Sequence, residues 1–239
     1  MAKKKAAERE LFSHIRPKSV FAEAFRALRT NLMFSTLGGA NKVVLVTSPS
    51  PEDGKSIVST NLSVVLAQAK NRVLLVDCDL RKPVLHKYFD VDNRLGLTNL
   101  LVQDIKPEDV TLATEVAGLY VIPSGPIPPN PSELLGSDKM AALLQTLAAQ
   151  YDVMVLDGTP VLAVTDAVLL SPLADSVLLV LKAGDTQIEQ AREARNLLVS
   201  AGARHIGVVL NEVKQSDGSY YYYYGPRTQS SRSMTASFL

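Results

Sequence analysis

The chain has 239 residues, a length that favours one or two domains and is sufficient for a complete hydrophobic core. Its 25 Lys and Arg residues balance its 24 Asp and Glu residues, and the net charge of +1 excludes a generally basic nucleic-acid-binding protein. The single cysteine, Cys78, excludes a disulfide framework and fits a reducing compartment, and with only three histidines a zinc site is not expected.

The first clear pattern is an amphipathic helix predicted over residues 19–35, inside an N-terminal segment 1–35. Ser19 is the expected N-cap. An apolar stripe at helical spacing consists of Phe21, Phe25, Leu28 and Leu32. We therefore expect this helix to dock on the core through that stripe.

Residues 36–214 alternate short apolar runs with helical patterns. Strands are predicted at 43–46, 73–76, 119–122, 153–156, 176–181 and 206–210, and helices at about 55–69 and 188–200. Continuous apolar runs without polar alternation are typical of strands that are covered on both faces, so the sheet should be mainly parallel. The order of elements predicts a single α/β domain with a doubly wound sheet and helices on both faces.

The proline-rich segment 123–131 is predicted to be a stiff loop, because proline removes backbone donors from helices and central strands. A helix should follow this loop, with Ser132 as its N-cap.

A phosphate-binding loop is predicted between the first strand of this domain and the helix at 55–69. Gly54, Lys55 and Ser56 match the end of the pattern G-x-x-x-x-G-K-[ST], while Pro49 replaces its first glycine. Backbone N–H groups at the helix N-terminus would bind a phosphate, Lys55 adds a cation, and the Ser56 hydroxyl suits Mg²⁺. A chance Gly-Lys-Ser in a surface turn is the alternative, but the strand before and the helix after favour a P-loop NTPase domain.

Acidic residues follow two of the predicted strands. Asp77 and Asp79 follow the run 73–76, and Asp157 follows 153–156. In a parallel sheet these strand ends lie at the edge that carries the phosphate loop, and three carboxylates there would repel one another without a cation such as the Mg²⁺ of Mg²⁺–ATP. Helix caps or turn residues remain the alternative for Asp77 and Asp79.

Together these motifs resemble those of a known family. The segments 51–56, 75–83 and 155–157 resemble the Walker A, A′ and B motifs of the bacterial tyrosine kinases. The resemblance covers most of the chain and is closest to the stand-alone cytoplasmic type that partners a membrane activator in capsule or exopolysaccharide synthesis. It implies an ATP-dependent protein-tyrosine kinase that regulates such synthesis, with ATP and Mg²⁺ as cofactors.

The resemblance also implies a role for each matching residue. Lys55 would contact the β- and γ-phosphates, and Asp77 would accept or orient the proton of the substrate hydroxyl. The implied Mg²⁺ site consists of Ser56, Asp79 and Asp157, the last through a metal-bound water. The implied nucleotide-binding residues are Asp53, Gly54, Lys55, Ser56, Ile57 and Asn211, with Asn211 at the adenine.

The segment 215–239 is predicted to be a flexible tail, because its Ser, Gly, Thr, Tyr and Arg residues bury little apolar surface. It contains five consecutive tyrosines: Tyr220, Tyr221, Tyr222, Tyr223 and Tyr224. Such a run could pair with a sheet edge, but the flanking Gly218 and Pro226 would break a strand. We favour a mobile set of acceptor hydroxyls, and the resemblance implies that they are autophosphorylated.

Glu23, Arg26 and Arg29 resemble the family's E-x-x-R-x-x-R oligomerisation motif. Their spacing places them on one face of the helix, and a solvated charged face is the alternative. The resemblance implies a homo-oligomeric ring in which each tail enters the next active site, and other protein tyrosines as further substrates. It also implies recruitment to the inner face of the membrane by the cytoplasmic tail of a transmembrane activator.

We expect a cytoplasmic protein, because no apolar run approaches the ~18 residues of a membrane span. Two other functions stay open. A ParA/MinD-type ATPase shares this fold, but Ser50 occupies the position of its signature lysine. A nucleotide-dependent adaptor with negligible phosphotransfer would use the same binding residues.

Overall fold

The computed structural model describes residues 11–34, 42–214 and 232–238, in which strands and helices alternate. The helices are α1 (Phe12–Ile15), α2 (Val20–Phe34), α3 (Lys55–Gln68), α4 (Leu85–Tyr88), α5 (Leu97–Val102), α6 (Pro131–Leu135), α7 (Asp138–Ala148), α8 (Asp166–Leu170) and α9 (Ile188–Ser200). The strands are β1 (Val43–Ser48), β2 (Val73–Asp77), β3 (Leu112–Ala113), β4 (Leu119–Ile122), β5 (Val153–Pro160), β6 (Ser176–Lys182), β7 (Ile206–Lys214) and β8 (Arg232–Phe238).

The described strands form one eight-stranded sheet in the order β3-β4-β2-β5-β1-β6-β7-β8. The strands from β4 to β7 pair in parallel, while β3 and β8 pair antiparallel at the two edges. The prediction of a mainly parallel, doubly wound sheet is therefore confirmed. The register aligns Asp157 of β5 with Val46 of β1 on one side and with Asp77 of β2 on the other, so the ends of these strands lie at one edge.

The core has two halves, one on each face of the sheet. Alternate residues of β1 point to opposite faces, as the pleat of a strand requires. Val46 joins the apolar group formed with α2 and α3, whereas Leu45 joins the group formed with α5, α7, α8 and α9. A strand that is covered on both faces is apolar along most of its length, and all six positions of β1 are buried, the polar Thr47 and Ser48 at its end included.

Helix α2 matches its prediction closely. The Ala22 N–H donates to the Ser19 hydroxyl at 3.2 Å, so Ser19 is the N-cap. The residues buried against the core are Ala22, Phe25, Leu28 and Leu32, whereas Phe21 is only half-buried. The predicted stripe is thus displaced by one position at its N-terminal end.

Two predictions are wrong in detail. Ser132 is not an N-cap, because α6 already begins at Pro131, whose fixed φ suits the first helical position.

Residues 232–238, predicted as part of a flexible tail, form strand β8, which pairs with β7 from Gly207↔Phe238 to Lys214↔Arg232. Without β8, strand β7 would be an edge strand with unpaired N–H and C=O groups. The tyrosine cluster lies outside the described residues.

Candidate active site

The loop between β1 and α3 is held by its own side chains. Asp53 accepts the Ser50 N–H at 2.9 Å, and the Ser48 hydroxyl donates to the Ser50 carbonyl at 2.7 Å. Glu52 and Gly54 have φ values of 68° and 97°, in the left-handed region. The loop therefore turns into the N-terminus of α3 with Pro49 in the place of the first glycine, and its N–H groups are available at that helix end.

Asn211, at the carboxyl-terminal edge of the sheet, lies against this loop. Its side chain is buried, and its Nδ2 donates to the Asp53 carbonyl at 3.0 Å. A Cβ at Gly54 would lie 2.0 Å from the same nitrogen, which explains why residue 54 has no side chain. On the other side, the Thr186 hydroxyl donates to Asp53 Oδ1 at 3.0 Å. Asn211 therefore holds the phosphate loop through this hydrogen bond, and its contact with the adenine stays a prediction.

Lys55 lies in the first turn of α3 and points to the acidic strand ends. Its Nζ is 2.9 Å from Asp79 Oδ2 and 3.3 Å from the Ser56 hydroxyl. Burial lowers the pKa of Lys55, but the carboxylates of Asp157 and Asp79 more than compensate and raise it above its usual value. Lys55 is therefore a cation in an almost enclosed site, with 12% of its side chain exposed.

Asp77 and Asp157 face each other across adjacent strands and are fully buried. Burial, followed by the charge of Asp157, raises the pKa of Asp77 to about 7, although the Leu85 N–H and Lys55 oppose this shift. Burial also raises the pKa of Asp157, partly offset by Lys55 and the Ser56 hydroxyl. The pair therefore holds a proton more tightly than two separate carboxyl groups would.

The acidic residues of the turn between β2 and α4 make the cap and turn contacts that the alternative interpretation predicted. Asp77 Oδ2 accepts the N–H groups of Val84 and Leu85 at 3.1 and 3.0 Å, and so caps α4. Asp79 Oδ1 accepts the N–H groups of Arg81 and Lys82 at 3.3 and 2.9 Å, which leaves Oδ2 for Lys55. These turn contacts aim both carboxyl groups at the site.

The donor set fits a magnesium ion. Both carboxylate oxygens of Asp157 are buried, and neither makes a well-aligned hydrogen bond to a described residue, although the hydroxyls of Ser56 and Ser59 are near enough to lower its pKa. Ser56, Asp79 and Asp157 offer the hard oxygen ligands that Mg²⁺ prefers. Within the described ranges, no three His, Cys, Asp or Glu side chains could hold a metal by themselves. Phosphate oxygens and waters would therefore complete the shell, as is usual for Mg²⁺.

The charged residues of α2 have partners within the chain. Arg26 Nη1 is 2.6 Å from Glu23 Oε2, and its Nη2 donates to the Pro17 carbonyl. Arg29 Nη1 donates to the Val65 carbonyl at 2.9 Å, which ties α2 to α3. All three residues therefore make contacts within their own chain.

Sequence reasoning missed Thr186 and Asp166. Thr186 supports Asp53 from 133 positions away, and Asp166 binds Arg81 of the turn after β2 from 85 positions away. No spacing rule predicts contacts between residues so far apart in the sequence. The one available signal was that both residues follow predicted strands, so they lie at the edge of the sheet that carries the phosphate loop.

A phosphate loop, a lysine and three carboxyl groups at one edge of a doubly wound sheet define the class of P-loop nucleotide-binding proteins. Residues 42–193 match the AAA domain family, which confirms that class. In the described parts of the chain, no helix is long and apolar enough to cross a bilayer.

More specific relatives identify the family. Tyrosine-protein kinase YwqD of Bacillus subtilis (strain 168) is 40% identical over 220 residues, which cover 92% of this chain and 93% of that protein. The kinase domain of Escherichia coli tyrosine kinase ETK superposes with a TM-score of 0.82 at 35% identity, covering 90% of this chain and 84% of that one. The chimerical protein CapA2B2 superposes with a TM-score of 0.80 at 40% identity, with coverages of 84% and 88%. The chain belongs to the bacterial tyrosine-protein kinases.

Proposed function

We propose that this protein transfers the γ-phosphate of ATP to its own tyrosines 220–224, between neighbouring subunits, and so regulates capsular or extracellular polysaccharide synthesis. The observation that carries the proposal is the convergence of Lys55 and three carboxyl groups at the N-terminus of α3. Such an arrangement binds a polyphosphate and leaves a proton acceptor beside its terminal group.

The nucleotide would lie along the loop, with its β-phosphate at the N–H groups of residues 53–57 and Lys55 Nζ shared between the β- and γ-phosphates. Ser56, Asp79 and Asp157 would hold Mg²⁺, which supplies positive charge to the phosphate oxygens when it is bound. Asn211 would contact the adenine while it keeps its hydrogen bond to the loop.

Asp77 would act on the acceptor. A new bond forms between the tyrosine oxygen and the γ-phosphorus as the bond to the β-phosphate oxygen breaks, ADP leaves, and the phenol proton goes to Asp77. A tyrosine phenol has an ordinary pKa of about 10, so a base with a pKa near neutrality accepts its proton more readily than an exposed carboxylate does. The pKa of Asp77, raised to about 7, suits this role.

The test uses labelled ATP with Mg²⁺. We expect wild type to label itself and Lys55→Met to lose the label. Lys70→Met is the matched control, since Lys70 is an exposed lysine just beyond the other end of α3. Replacing all five tyrosines by Phe should abolish labelling without abolishing nucleotide binding. Release of phosphate without label would instead favour a ParA/MinD-type ATPase, and binding without either product would favour an adaptor.

Transfer between subunits has its own test. Lys55→Met chains keep the acceptors but lack the nucleotide lysine, and the five-Phe chains have the reverse defect. We expect the Lys55→Met chains to be labelled only after the two proteins are mixed. If mixing produces no label while wild type is active, transfer occurs within one chain.

The ring is proposed to form through the charged face of α2. Arg26→Ala/Arg29→Ala should dissociate the oligomer in light scattering, while Arg192→Ala/Arg195→Ala on α9 controls for the loss of two arginines. Full phosphorylation of the cluster adds roughly −8 to −10 charges per chain, so it should also dissociate the ring. An unchanged particle mass in either case would contradict this part of the proposal.

The regulatory role would require recruitment to the membrane by the cytoplasmic tail of a transmembrane activator. We expect the protein to sediment with membranes only when that partner is co-expressed. Sedimentation that does not depend on the partner would contradict this part of the proposal.

A further inference from the structure

We propose that Asp166 is a positioning residue for phosphoryl transfer: through Arg81 it fixes the turn that carries Asp79, and so the site of the metal. The inference rests on the proposed function but concerns residues with no role in it so far. Asp166 begins α8, and its side chain is fully buried. Arg81 lies in the turn after β2, and 38% of its side chain is exposed.

The contacts around Asp166 are bidentate. Arg81 Nε is 2.8 Å from Asp166 Oδ2, and Arg81 Nη2 is 3.0 Å from Oδ1. The Ser132 hydroxyl donates to the same Oδ1 at 2.7 Å, and Arg81 Nη2 also donates to the Ser132 hydroxyl at 2.8 Å. A fork–fork pair of this kind restrains the guanidinium in both distance and orientation, which a single surface ion pair does not.

Three segments meet at this point. Arg81 follows β2, Ser132 belongs to α6 beyond β4, and Asp166 follows β5. All three strands end at the edge that carries the phosphate loop. The pair therefore joins the turn of the first acidic motif to the helix that follows the second.

The connection continues to Lys55. The Arg81 N–H donates to Asp79 Oδ1 at 3.3 Å, while Asp79 Oδ2 is 2.9 Å from Lys55 Nζ. When Asp166 holds the Arg81 side chain, it also restrains the Arg81 backbone and with it the Asp79 carboxylate. Asp157 lies in β5, nine residues before Asp166. The pair therefore helps to set the separation of Asp79 from Asp157, the two acidic residues proposed to hold Mg²⁺.

A purely structural role makes a different prediction. A buried ion pair that only stabilises the fold lowers stability when it is broken, but leaves the metal requirement of nucleotide binding unchanged. Substitution of a residue that orients a metal ligand typically weakens metal binding by 10–100-fold. The dependence of ADP binding on Mg²⁺ therefore distinguishes the two roles without any measurement of phosphotransfer.

The experiment measures binding of a fluorescent ADP analogue to the full-length protein while Mg²⁺ is titrated. For Asp166→Asn we expect the Mg²⁺ midpoint to rise about tenfold or more, with metal-free ADP affinity within twofold of wild type. Arg81→Lys keeps the charge but loses the fork and should give an intermediate shift; Ser132→Ala should give the smallest. The double variant Asp166→Asn/Arg81→Lys should shift no more than Asp166→Asn alone, because both act through one path.

The matched control is Asp175→Asn, at the other end of the parallel strands, where β1 and β6 begin. Asp175 accepts the N–H groups of Lys42 and Val43 at 3.0 and 2.9 Å and pairs with Arg204 at 3.7 Å. The Asp175→Asn variant should have a lower thermal midpoint than wild type and the same Mg²⁺ midpoint. A fall in thermal midpoint with an unchanged Mg²⁺ midpoint for both Asp166→Asn and Arg81→Lys would overturn the proposal. If wild type binds Mg²⁺–ADP but labels no tyrosine, the proposed kinase activity fails while this inference is still tested.

Discussion

Replacing Asp77 by Asn should flatten the pH dependence of the protein's stability between pH 4 and pH 8. Burial and the charge of Asp157 raise the pKa of Asp77 from its ordinary 3.8 to about 7. The folded state therefore binds this proton more tightly than the unfolded state. Its contribution to stability is complete below about pH 4 and is lost as pH rises through about 7.

The size of the effect follows from the pKa change. A difference of about three pKa units, at 1.36 kcal/mol each, corresponds to about 4 kcal/mol. The Asn side chain resembles the neutral carboxyl group at every pH, so it removes this dependence. Its carbonyl oxygen can accept the N–H groups of Val84 and Leu85 in place of Oδ2, but its NH₂ group then meets the Asp79 N–H, which now donates to Oδ1 at 3.2 Å. That conflict lowers stability by a similar amount at each pH and leaves the slope as the informative quantity.

The assay is urea unfolding of the metal- and nucleotide-free protein at pH 4.5, 6, 7 and 8. We expect the difference in unfolding free energy between Asp77→Asn and wild type to change by about 3–4 kcal/mol in favour of the variant from the lowest to the highest pH. Asp152→Asn is the control, because it removes a carboxylate from an exposed position. Parallel profiles for wild type and Asp77→Asn, or an equal change in Asp152→Asn, would refute the reasoning.

Three further substitutions test the local structure, each by a direct measurement. Gly54→Ala should abolish nucleotide binding in a titration, since its Cβ would lie 2.0 Å from the side-chain nitrogen of Asn211. Gly184→Ala is the control: it is also at positive φ but has open space around it, so it should lower only the unfolding free energy, by about 1 kcal/mol. Phe25→Ala should lower the unfolding free energy by about 3–5 kcal/mol, whereas Phe34→Ala, at a position 80% exposed, should change it by less than about 0.5. Ser19→Ala removes the N-cap of α2 and should cost about 1 kcal/mol in the same urea unfolding assay.

The parts of the site that sequence predicted are those that depend on local rules. The phosphate loop is a short pattern between a strand and a helix, and the helix end provides its chemistry. Asp77, Asp79 and Asp157 could be placed together because all parallel strands end at the same edge. Their roles as metal ligands and proton acceptor remain predictions, and so does the role of the tyrosine cluster as phosphate acceptor.

Other features required the folded chain. Ser132 has the composition and position of an N-cap, yet its hydroxyl binds Asp166. Asn211 was placed at the site, but its hydrogen bond to the Asp53 carbonyl depends on how closely β7 approaches the loop. Strand β8 pairs because β7 offers an edge, which the overall composition of the segment 215–239 did not predict.

The amino-acid sequence alone determined the α/β architecture, the phosphate loop and the edge at which the acidic residues gather, because periodicity, turn chemistry and strand direction act over a few neighbouring residues. Only the tertiary structure decided how those residues are held. The pairing of Arg81 with Asp166 and of Thr186 with Asp53 spans 85 and 133 positions. Contacts of that range depend on the packing of whole strands and helices, to which each side chain contributes only a small part.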